Sequence, residues 1–329
     1  MKVDNKRRKL LAGLSALPMM ASLPSWAQGA GAWPAKPIKI LVGFPPGGGA
    51  DAMGRLIASK LPERLGQSVI VENKTGATGT ICSELVAKSP PDGYTLQLAH
   101  INSNAIGPLM VAKGRFDPIA DFTPIVLIGI TPQMLCHHPK HRFSTVPGLI
   151  AYAKANPGKL SFASSGVGSI QHIAGEAFKL QAGVDMLHVP FKGTGEALAA
   201  LISGDVDMTF SSTGSALPQV KAGKLTLLAV CSPKRLPNLP DVAAVSETLP
   251  GYEIATWYGL AGPAKLPNDI VVRLNGEVQA ILRQPDVAQR MKDLDAEAGA
   301  GGTPEQFAAF WKKEIEKYRK LIAEAKIEA

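Results

Sequence analysis

The sequence predicts an α/β protein of two lobes, each a mostly parallel sheet flanked by helices. Strand and helix patterns alternate along the chain, and the order strand, glycine loop, helix, strand occurs once in each half. Such alternation is typical of βαβ units with parallel strands. With 329 residues, 46% hydrophobic and 19% charged, the chain is long and apolar enough for about two domains. This composition excludes a disordered or fibrous protein.

The first 27 residues predict an export signal. They carry five basic residues against one acidic residue, an apolar stretch at residues 10–23, and a small-x-small sequence (Ser-Trp-Ala) at residues 25–27. Residues 7–9 (Arg-Arg-Lys) also resemble a twin-arginine signal. A basic amphipathic first helix is the alternative. No later stretch reaches the ~18 apolar residues of a membrane span, so we expect an exported, periplasmic protein that begins near Gln28.

The formal net charge of +8 does not indicate a nucleic-acid partner. Without residues 1–27, the chain keeps 30 of its 35 basic and 26 of its 27 acidic residues, a net charge of +4. These charges form no basic patch interleaved with aromatic residues, which nucleic-acid binding would favour. The three cysteines, Cys82, Cys136 and Cys231, leave at least one thiol unpaired, and the absence of a CxxC pair argues against a redox site. Cys136 and Cys231 lie in apolar strand-like runs, so we expect buried small hydrophobes.

Residues 34–124 supply the first set of elements. Apolar residues at every second position from Ile38 to Phe44 predict a strand, and helical spacing from Met53 to Leu65 predicts a helix that Pro62 kinks or ends. The further elements expected here are a strand at 69–71, a helix at 81–88 and a strand at 94–99.

The second lobe is predicted to follow the same order. Its expected elements are strands at 160–164, 188–191 and 206–210. Apolar spacing from Ile173 to Leu180 marks one helix, and a second helix, which contains Leu198, ends at Gly204. Two long apolar runs, 124–136 and 225–231, are predicted to cross between the lobes. Lobe one then comprises residues 34–124 and 232–329, and lobe two residues 125–231.

The last helix has the clearest start signal. Thr303, Pro304 and Gln306 supply an N-cap, a proline in the first turn and a capping-box partner. Apolar residues then recur on one helical face from Phe307 to Ile322. We expect this face to dock on lobe one.

Four glycine-rich loops, at residues 45–49, 75–80, 165–169 and 192–195, each precede a helix. Free N–H groups and the macrodipole at a helix start favour an anion. In open α/β sheets, ligands bind outside the carboxyl ends of the strands, where these loops lie. The loops carry few charged residues, so we expect a cleft between the lobes that holds a small anion through amides and hydroxyls. Ordinary βα turns are the alternative.

A dinucleotide site is a weaker interpretation of the first loop. Its glycines are followed by Glu72 at about the expected distance, but Ala52 breaks the GxGxxG spacing. Pro45 and Pro46 remove two backbone donors where a pyrophosphate would need them. We therefore expect no cofactor.

An exported hydrolase or metal-dependent enzyme is a further alternative. His137, His138 and His141 cluster after an apolar run, in what we interpret as a solvated turn, and His172 lies four residues before Glu176. The loop serines Ser164, Ser165 and Ser169 have no base at a motif spacing. We expect neither a bound metal nor catalysis.

Several motifs together resemble the Bug family, the extracytoplasmic solute receptors of tripartite tricarboxylate transport. They occur in order over the chain from about residue 33 and are Lys36-Pro37-Ile38, Phe44-Pro45-Pro46-Gly47-Gly48, Val71-Glu72-Asn73, Pro91-Asp92-Gly93-Tyr94-Thr95-Leu96, Ala163-Ser164-Ser165-Gly166, His188-Val189-Pro190-Phe191-Lys192-Gly193, Gly223-Lys224-Leu225 and Trp257-Tyr258-Gly259.

The resemblance implies a type 2 periplasmic-binding-protein fold whose two lobes close on one small ligand, usually a carboxylate. It implies that loops matching residues 44–49 and 75–79 hold the ligand from lobe one, and a loop matching 164–169 from lobe two. It also implies a partner, the membrane subunits of a tripartite tricarboxylate transporter. We expect the protein to be a monomer. A receptor that signals to a sensor kinase is an alternative.

The residues predicted to contact the ligand come from these loops and from neighbouring strand ends. They are Phe44, Pro46, Gly48, Gly49, Asp51, Ala77, Thr78, Gly79, His100, Asn102, Ser164, Ser165, Gly166, Ser169, His172 and Ser211. Two of them depart from the family pattern: Thr78 stands where glycine is common, and Ser211 where the family often has Asp. These departures are expected to alter the choice of ligand.

Overall fold

The computed structural model describes residues 33–294, 296–298 and 302–327, and the chain from Pro34 onward forms one compact unit. The predicted export signal at residues 1–27 lies outside the described residues. In the described part of the chain, no helix is long and apolar enough to cross a membrane.

The first half of the unit contains β1 (Ile38–Val42), α1 (Gly49–Leu65), β2 (Val69–Asn73), α2 (Thr80–Ala87), β3 (Thr95–His100), α3 (Gly107–Met110), β4 (Phe122–His137), α4 (Val146–Ala155), β5 (Ser161–Ser164) and α5 (Ile170–Ala182). The second half contains β6 (Leu187–Pro190), α6 (Thr194–Ser203), β7 (Met208–Ser212), α7 (Thr213–Lys221), β8 (Thr226–Val230), β9 (Ala255–Pro263), α8 (Asn268–Leu282), α9 (Pro285–Asp293), β10 (Glu297–Ala298) and α10 (Pro304–Glu324).

Each lobe contains a set of three parallel strands. In lobe one the order is β2–β1–β3, and in lobe two it is β6–β5–β7. The connecting helices α1, α2, α5 and α6 follow from the right-handed βαβ crossovers that parallel strands require. The predicted two-lobed α/β fold is confirmed.

Antiparallel strands join the two sets into one mixed sheet. Residues 122–132 of β4 pair with β9, which also pairs with β3, and residues 133–137 pair with β7 and β8. The apolar run predicted to cross between the lobes is therefore a single sixteen-residue strand. The limits of the lobes at residues 124–125 and 231–232 remain our proposal.

Three backbone segments meet where the chain crosses between the lobes. The N–H of Cys231 donates to the carbonyl of Gln133 (2.8 Å), the N–H of Ile254 to the carbonyl of Cys231 (2.9 Å), and the N–H of Gln133 to the carbonyl of Ile254 (3.1 Å). We call these three residues the hinge. Cys82, Cys136 and Cys231 are free thiols with no exposed surface, as predicted for buried hydrophobes.

Pro62 does not end α1. Of the two effects expected of Pro62, a kink or an end of α1, the end is contradicted, because the helix runs on to Leu65. Proline removes a single N–H donor in this last turn. Gly66, at φ +71°, then closes the helix by donating its N–H to the carbonyl of Pro62.

The cap and the docking face of α10 are confirmed. Thr303 Oγ1 accepts from the N–H of Gln306 (3.3 Å), and Gln306 Oε1 accepts from the N–H of Thr303 (2.9 Å). The buried face comprises Phe307, Trp311, Ile315 and Tyr318. Trp311 Nε1 donates to the carbonyl of Asn104, which follows β3, so α10 is attached to lobe one.

Candidate functional site

The first loop (residues 44–49) leads from β1 into α1, and Asp51 holds it in shape. Asp51 Oδ2 accepts from the N–H of Gly47 (3.0 Å) and from Arg55 Nε (2.9 Å), while Oδ1 accepts from Asn73 Nδ2 (2.9 Å). Burial would raise the pKa of Asp51, but these donors hold it below its ordinary value. The structure thus places Asp51, which we predicted among the ligand contacts, inside this loop's own network.

The second loop (residues 75–79) has a strained backbone. Ala77 and Thr78 have φ of +45° and +54°, and the flanking Gly76 and Gly79 have φ of +127° and +91°. For a β-branched residue this conformation is an outlier, and each such residue costs roughly 1–3 kcal/mol. A Cβ at Gly79 would lie 2.9 Å from the Cβ of Ser103, so only glycine fits there. Such strain is typical of functional segments.

Side chains of the third loop (residues 164–169) bond its own amides. Gln171 Oε1 accepts from the N–H of Ser165 (2.7 Å), and Ser164 Oγ accepts from the N–H of Gly166 (3.1 Å). We expected these amides to be open to a carboxylate. Gln171 was missed because its role depends on the fold of the loop, not on a sequence motif.

The first turn of α5 is capped from both lobes. Ser169 Oγ accepts from the N–H of His172 (3.3 Å). Asn102 Oδ1 accepts from the N–H of Ile170 (2.8 Å), and because Asn102 lies two residues after the end of β3, this bond joins lobe one to lobe two. The positive end of the α5 dipole therefore faces lobe one.

The loops of the two lobes also approach each other directly. A Cβ at Gly166 would lie 3.8 Å from Cγ2 of Thr78, and a Cβ at Gly168 would lie 3.5 Å from the Cβ of Met110. The strained second loop thus lies against the third loop. A ligand-binding cleft between these loops remains our proposal.

His100 lies at the end of β3, next to the first loop. Its ring centroid is 4.5 Å from that of Phe44 and 5.2 Å from that of Tyr258, and its Nδ1 accepts from the N–H of Asn102 (3.0 Å). Burial lowers the pKa of His100 to about 3. His100 is therefore neutral at physiological pH.

Tyr258 is a site residue that we did not predict. It stands opposite His100 in the β3–β9 pairing, and its hydroxyl is 3.1 Å from where a Cβ at Gly49 would lie. It borders a small cavity with room for about one water molecule. The cavity lining is Gly49, Met53, Thr131, Ser212, Gly214, Tyr258 and Leu294. Tyr258 belongs to a motif of the resemblance, which was the available signal.

A histidine pair supports the third loop from lobe two. His188 Nε2 is 2.6 Å from Ser164 Oγ, and the ring of His188 stacks on that of His172 at 3.9 Å. Burial lowers the pKa of His172 to about 3 and that of His188 to about 4, so both are neutral at pH 7. Sequence spacing gave no base for the loop serines, but the fold brings His188 to Ser164. Ser164 has no exposed surface, which does not favour its use as a nucleophile.

Other singled-out residues lie away from these contacts. Pro46 is exposed, and Ser211 is buried opposite Met134, with an Oγ that has no partner among the described residues. The solvated turn expected at His137 is wrong: His137 ends β4 and is 1% exposed, because its ring packs against Phe143. The described residues contain no group of three or more His, Cys, Asp or Glu placed to hold a metal ion.

The structure therefore brings most of the predicted residues to one place. Those at or beside the interface of the lobes are Phe44, Gly48, Gly49, Ala77, Thr78, Gly79, His100, Asn102, Ser164, Ser165, Gly166, Ser169 and His172. Two α/β lobes face each other through glycine loops and are joined by strands that run from one lobe to the other. This arrangement is a periplasmic-binding-protein-like fold.

Comparison with known proteins identifies the family. Residues 53–327 match the model of the tripartite tricarboxylate transporter family receptor, and the chain belongs to this family. It is 32% identical over 294 residues to Protein BugT of Bordetella pertussis, a match that covers 89% of this chain and 90% of BugT. The predicted membership of the Bug family is confirmed.

Two solved structures share the fold at similar levels of identity. The R. palustris protein Rpa4515 with adipate has a TM-score of 0.86 and 34% identity, over 90% of this chain and 99% of that one. MatC (Rpa3494) from Rhodopseudomonas palustris with bound malate has a TM-score of 0.82 and 31% identity, over 88% and 99%. The chain is thus a solute-binding receptor of the TctC and Bug type.

Proposed function

We propose that this protein is a periplasmic receptor that captures a small carboxylate between its lobes and does not catalyse a reaction. It delivers the ligand to the membrane subunits of a tripartite tricarboxylate transporter. The observation that carries the proposal is the close approach of the strained second loop to the third loop, where Thr78 Cγ2 is 3.8 Å from the position that a Cβ at Gly166 would take.

The α5 N-terminus supports an anionic ligand. Its first N–H groups, at Ile170 and His172, already bond side-chain oxygens of Asn102 and Ser169. A ligand carboxylate offers the same acceptor chemistry with a full negative charge, which the helix dipole favours. Opening of the lobes would break the Asn102 bond and free the Ile170 N–H.

The lining of the site favours neutral donors over a basic clamp. His100 and His172 are neutral, and the hydroxyls of Thr78 and Tyr258 lie on the lobe-one side. We propose that the carboxylate is held by hydroxyls and amides, with Asp51 in the role of a positioning residue for the first loop. The two structurally similar proteins have adipate and malate, both dicarboxylates, so these are the first ligands to test.

The test is a panel of mono- and dicarboxylates, including adipate and malate, measured by thermal shift and calorimetry. A ligand at 100 times its Kd should add about 2.7 kcal/mol to the free energy of unfolding. Thr78→Glu should abolish this stabilisation, because it places a second carboxylate beside Gly166. Thr75→Glu is the matched control, since Thr75 is exposed in the same loop.

Two outcomes would contradict the proposal. One is that no carboxylate in a broad panel stabilises the protein. The other is that the Thr78→Glu variant binds the active carboxylate as tightly as the wild-type protein does.

A further inference from the structure

A groove of about 200 Å³ lies on the surface beside the hinge, away from the loops of the site. Its lining comes from both lobes and from the segment that enters β9. The lining residues are Ala177, Gln181, Gly251, Tyr252, Glu253, Ile254, Lys317, Lys320, Leu321 and Glu324. We call it the rear groove.

One wall of the rear groove is α5, the same helix whose first turn faces the site. Ile170, at the N-terminus of α5, bonds Asn102 across the lobes, whereas Ala177 and Gln181 line the groove. At 1.5 Å per residue, Ile170 and Gln181 are about 16 Å apart along the helix axis. One rigid helix thus connects the cleft to the groove.

The rear groove reaches the hinge at one residue, Ile254. Ile254 lines the groove and bonds the backbones of both Gln133 and Cys231. Its neighbour Tyr252 donates its hydroxyl proton to the carbonyl of Ala174 (2.7 Å), in the middle of α5. Ala174 lies between Ile170, which bonds Asn102, and Ala177, which lines the rear groove. The hydrogen bond from Tyr252 therefore holds α5 between its two ends.

The opposite wall is α10, which is fixed to lobe one. Trp311 bonds the carbonyl of Asn104, and Lys317, Lys320 and Leu321 face the groove one to three turns later. The two walls of the rear groove thus belong to different lobes.

We propose that the rear groove is a conformational device that couples to the cleft: it is wide when the cleft is closed and narrows when the cleft opens. Two bodies that rotate about a hinge approach on one side as they separate on the other. Bulk placed in the groove opposes opening and favours the closed, binding-competent arrangement. The proposal rests on the proposed receptor function, because closure is the step that captures the ligand.

The experiment fills the groove with one side chain. In Gln181→Trp, an exposed residue of the groove wall becomes large and apolar. Leu180→Trp is the matched control, since Leu180 is the neighbouring residue of α5, is 49% exposed and does not line the groove. Small-angle scattering of the ligand-free proteins, and calorimetry with adipate, are measured for wild type and both variants.

We expect the Gln181→Trp protein to be more compact than wild type without ligand. Its Kd for adipate should fall about three- to tenfold, because a larger fraction of molecules is competent to bind. The Leu180→Trp variant should match wild type in both measurements. An unchanged or larger radius of gyration for Gln181→Trp would overturn the proposal.

A second variant tests the opposite direction. The pair Gln181→Cys and Leu321→Cys, joined by a disulfide, holds the two walls together and should open the cleft and weaken adipate binding at least tenfold. The native cysteines are fully buried and do not compete for the oxidant. Binding unaffected by this disulfide would also overturn the proposal. If adipate does not bind the wild-type protein, adipate is excluded as the ligand of the proposed receptor. The radius of gyration of the ligand-free Gln181→Trp protein still tests the rear-groove proposal.

Discussion

At the scale of single residues, two polar side chains act through the backbone they hold. Asp51 orders the first loop through Gly47, and Asn102 caps α5 from the other lobe. Neither role can be recognised from the residue type alone. Both Asp51, which follows a glycine loop, and Asn102, which follows a strand end, were predicted as direct ligand contacts. The three donors on Asp51 identify it as a positioning residue.

We predict that Asp51→Asn lowers the free energy of unfolding by about 1–3 kcal/mol, because it breaks a buried charge-assisted network. It should also weaken binding of the carboxylate that the panel identifies. Arg55→Met should weaken binding in the same direction, and the double variant should add little, because both residues act on one loop. Chemical denaturation and calorimetry measure the two effects. Additive losses in the double variant would contradict a shared role.

At the scale of elements, Asp207 joins three strands of lobe two. It precedes β7, and its Oδ2 accepts from the N–H and the hydroxyl of Ser161, both at 2.8 Å, at the start of β5. Its Oδ1 pairs with Lys140 and His141, which follow β4. Burial would raise the pKa of Asp207, but these donors lower it to about 2.

We predict that Asp207→Asn destabilises the protein by about 2 kcal/mol at pH 7. This is the free energy that corresponds to the lowered pKa of Asp207, at about 1.4 kcal/mol per pKa unit. The side chain is only 13% exposed, so solvent screens the interaction little. The stabilisation by a lowered aspartate pKa is complete above about pH 4 and is lost as the pH falls toward 2. The difference between wild type and variant should therefore shrink over this range in urea titrations. Asp205→Asn, at an exposed neighbouring position, should have little effect. A constant difference from pH 7 to 2 would contradict this account.

At the scale of the whole molecule, three neutral histidines surround the site from both lobes. His100 lies in lobe one, and His172 and His188 stack in lobe two. All three have a pKa lowered by burial, to between about 3 and about 4. The unfolded chain therefore binds more protons than the folded chain below about pH 6.5.

We predict that the free energy of unfolding falls as the pH decreases from about 6.5 to 4.5. The stability contributed by a lowered histidine pKa is complete above the unfolded pKa and is lost toward the folded one, at about 1.4 kcal/mol per pH unit for each histidine. The His188→Gln variant keeps a hydrogen-bond partner for Ser164 but removes one titrating group. The slope of the free energy of unfolding against pH should therefore be smaller than in wild type by the contribution of one histidine. Urea denaturation between pH 4.5 and 7 measures it. An identical slope in the variant would show that His188 is not among the titrating groups.

Much of the fold was predictable because it depends on local patterns. Alternation in β1, helical spacing in α10 and the Thr303 cap each act within a few residues of sequence. The approach of the second and third loops was predictable, since glycine loops at strand ends occur at the same edge of a sheet. Gln171, His188 and Tyr258 were missed because each reaches the site by a contact formed only on folding.

The sequence by itself determined the two-lobed α/β class and the family, because periodicity and motifs are properties of the chain. Only the tertiary structure decided which polar groups are already bonded, such as Asp51, and which cross between lobes, such as Asn102. The reason is that burial and hydrogen-bond partners depend on segments distant in sequence. For the same reason, the rear groove exists only where α5, the hinge and α10 meet.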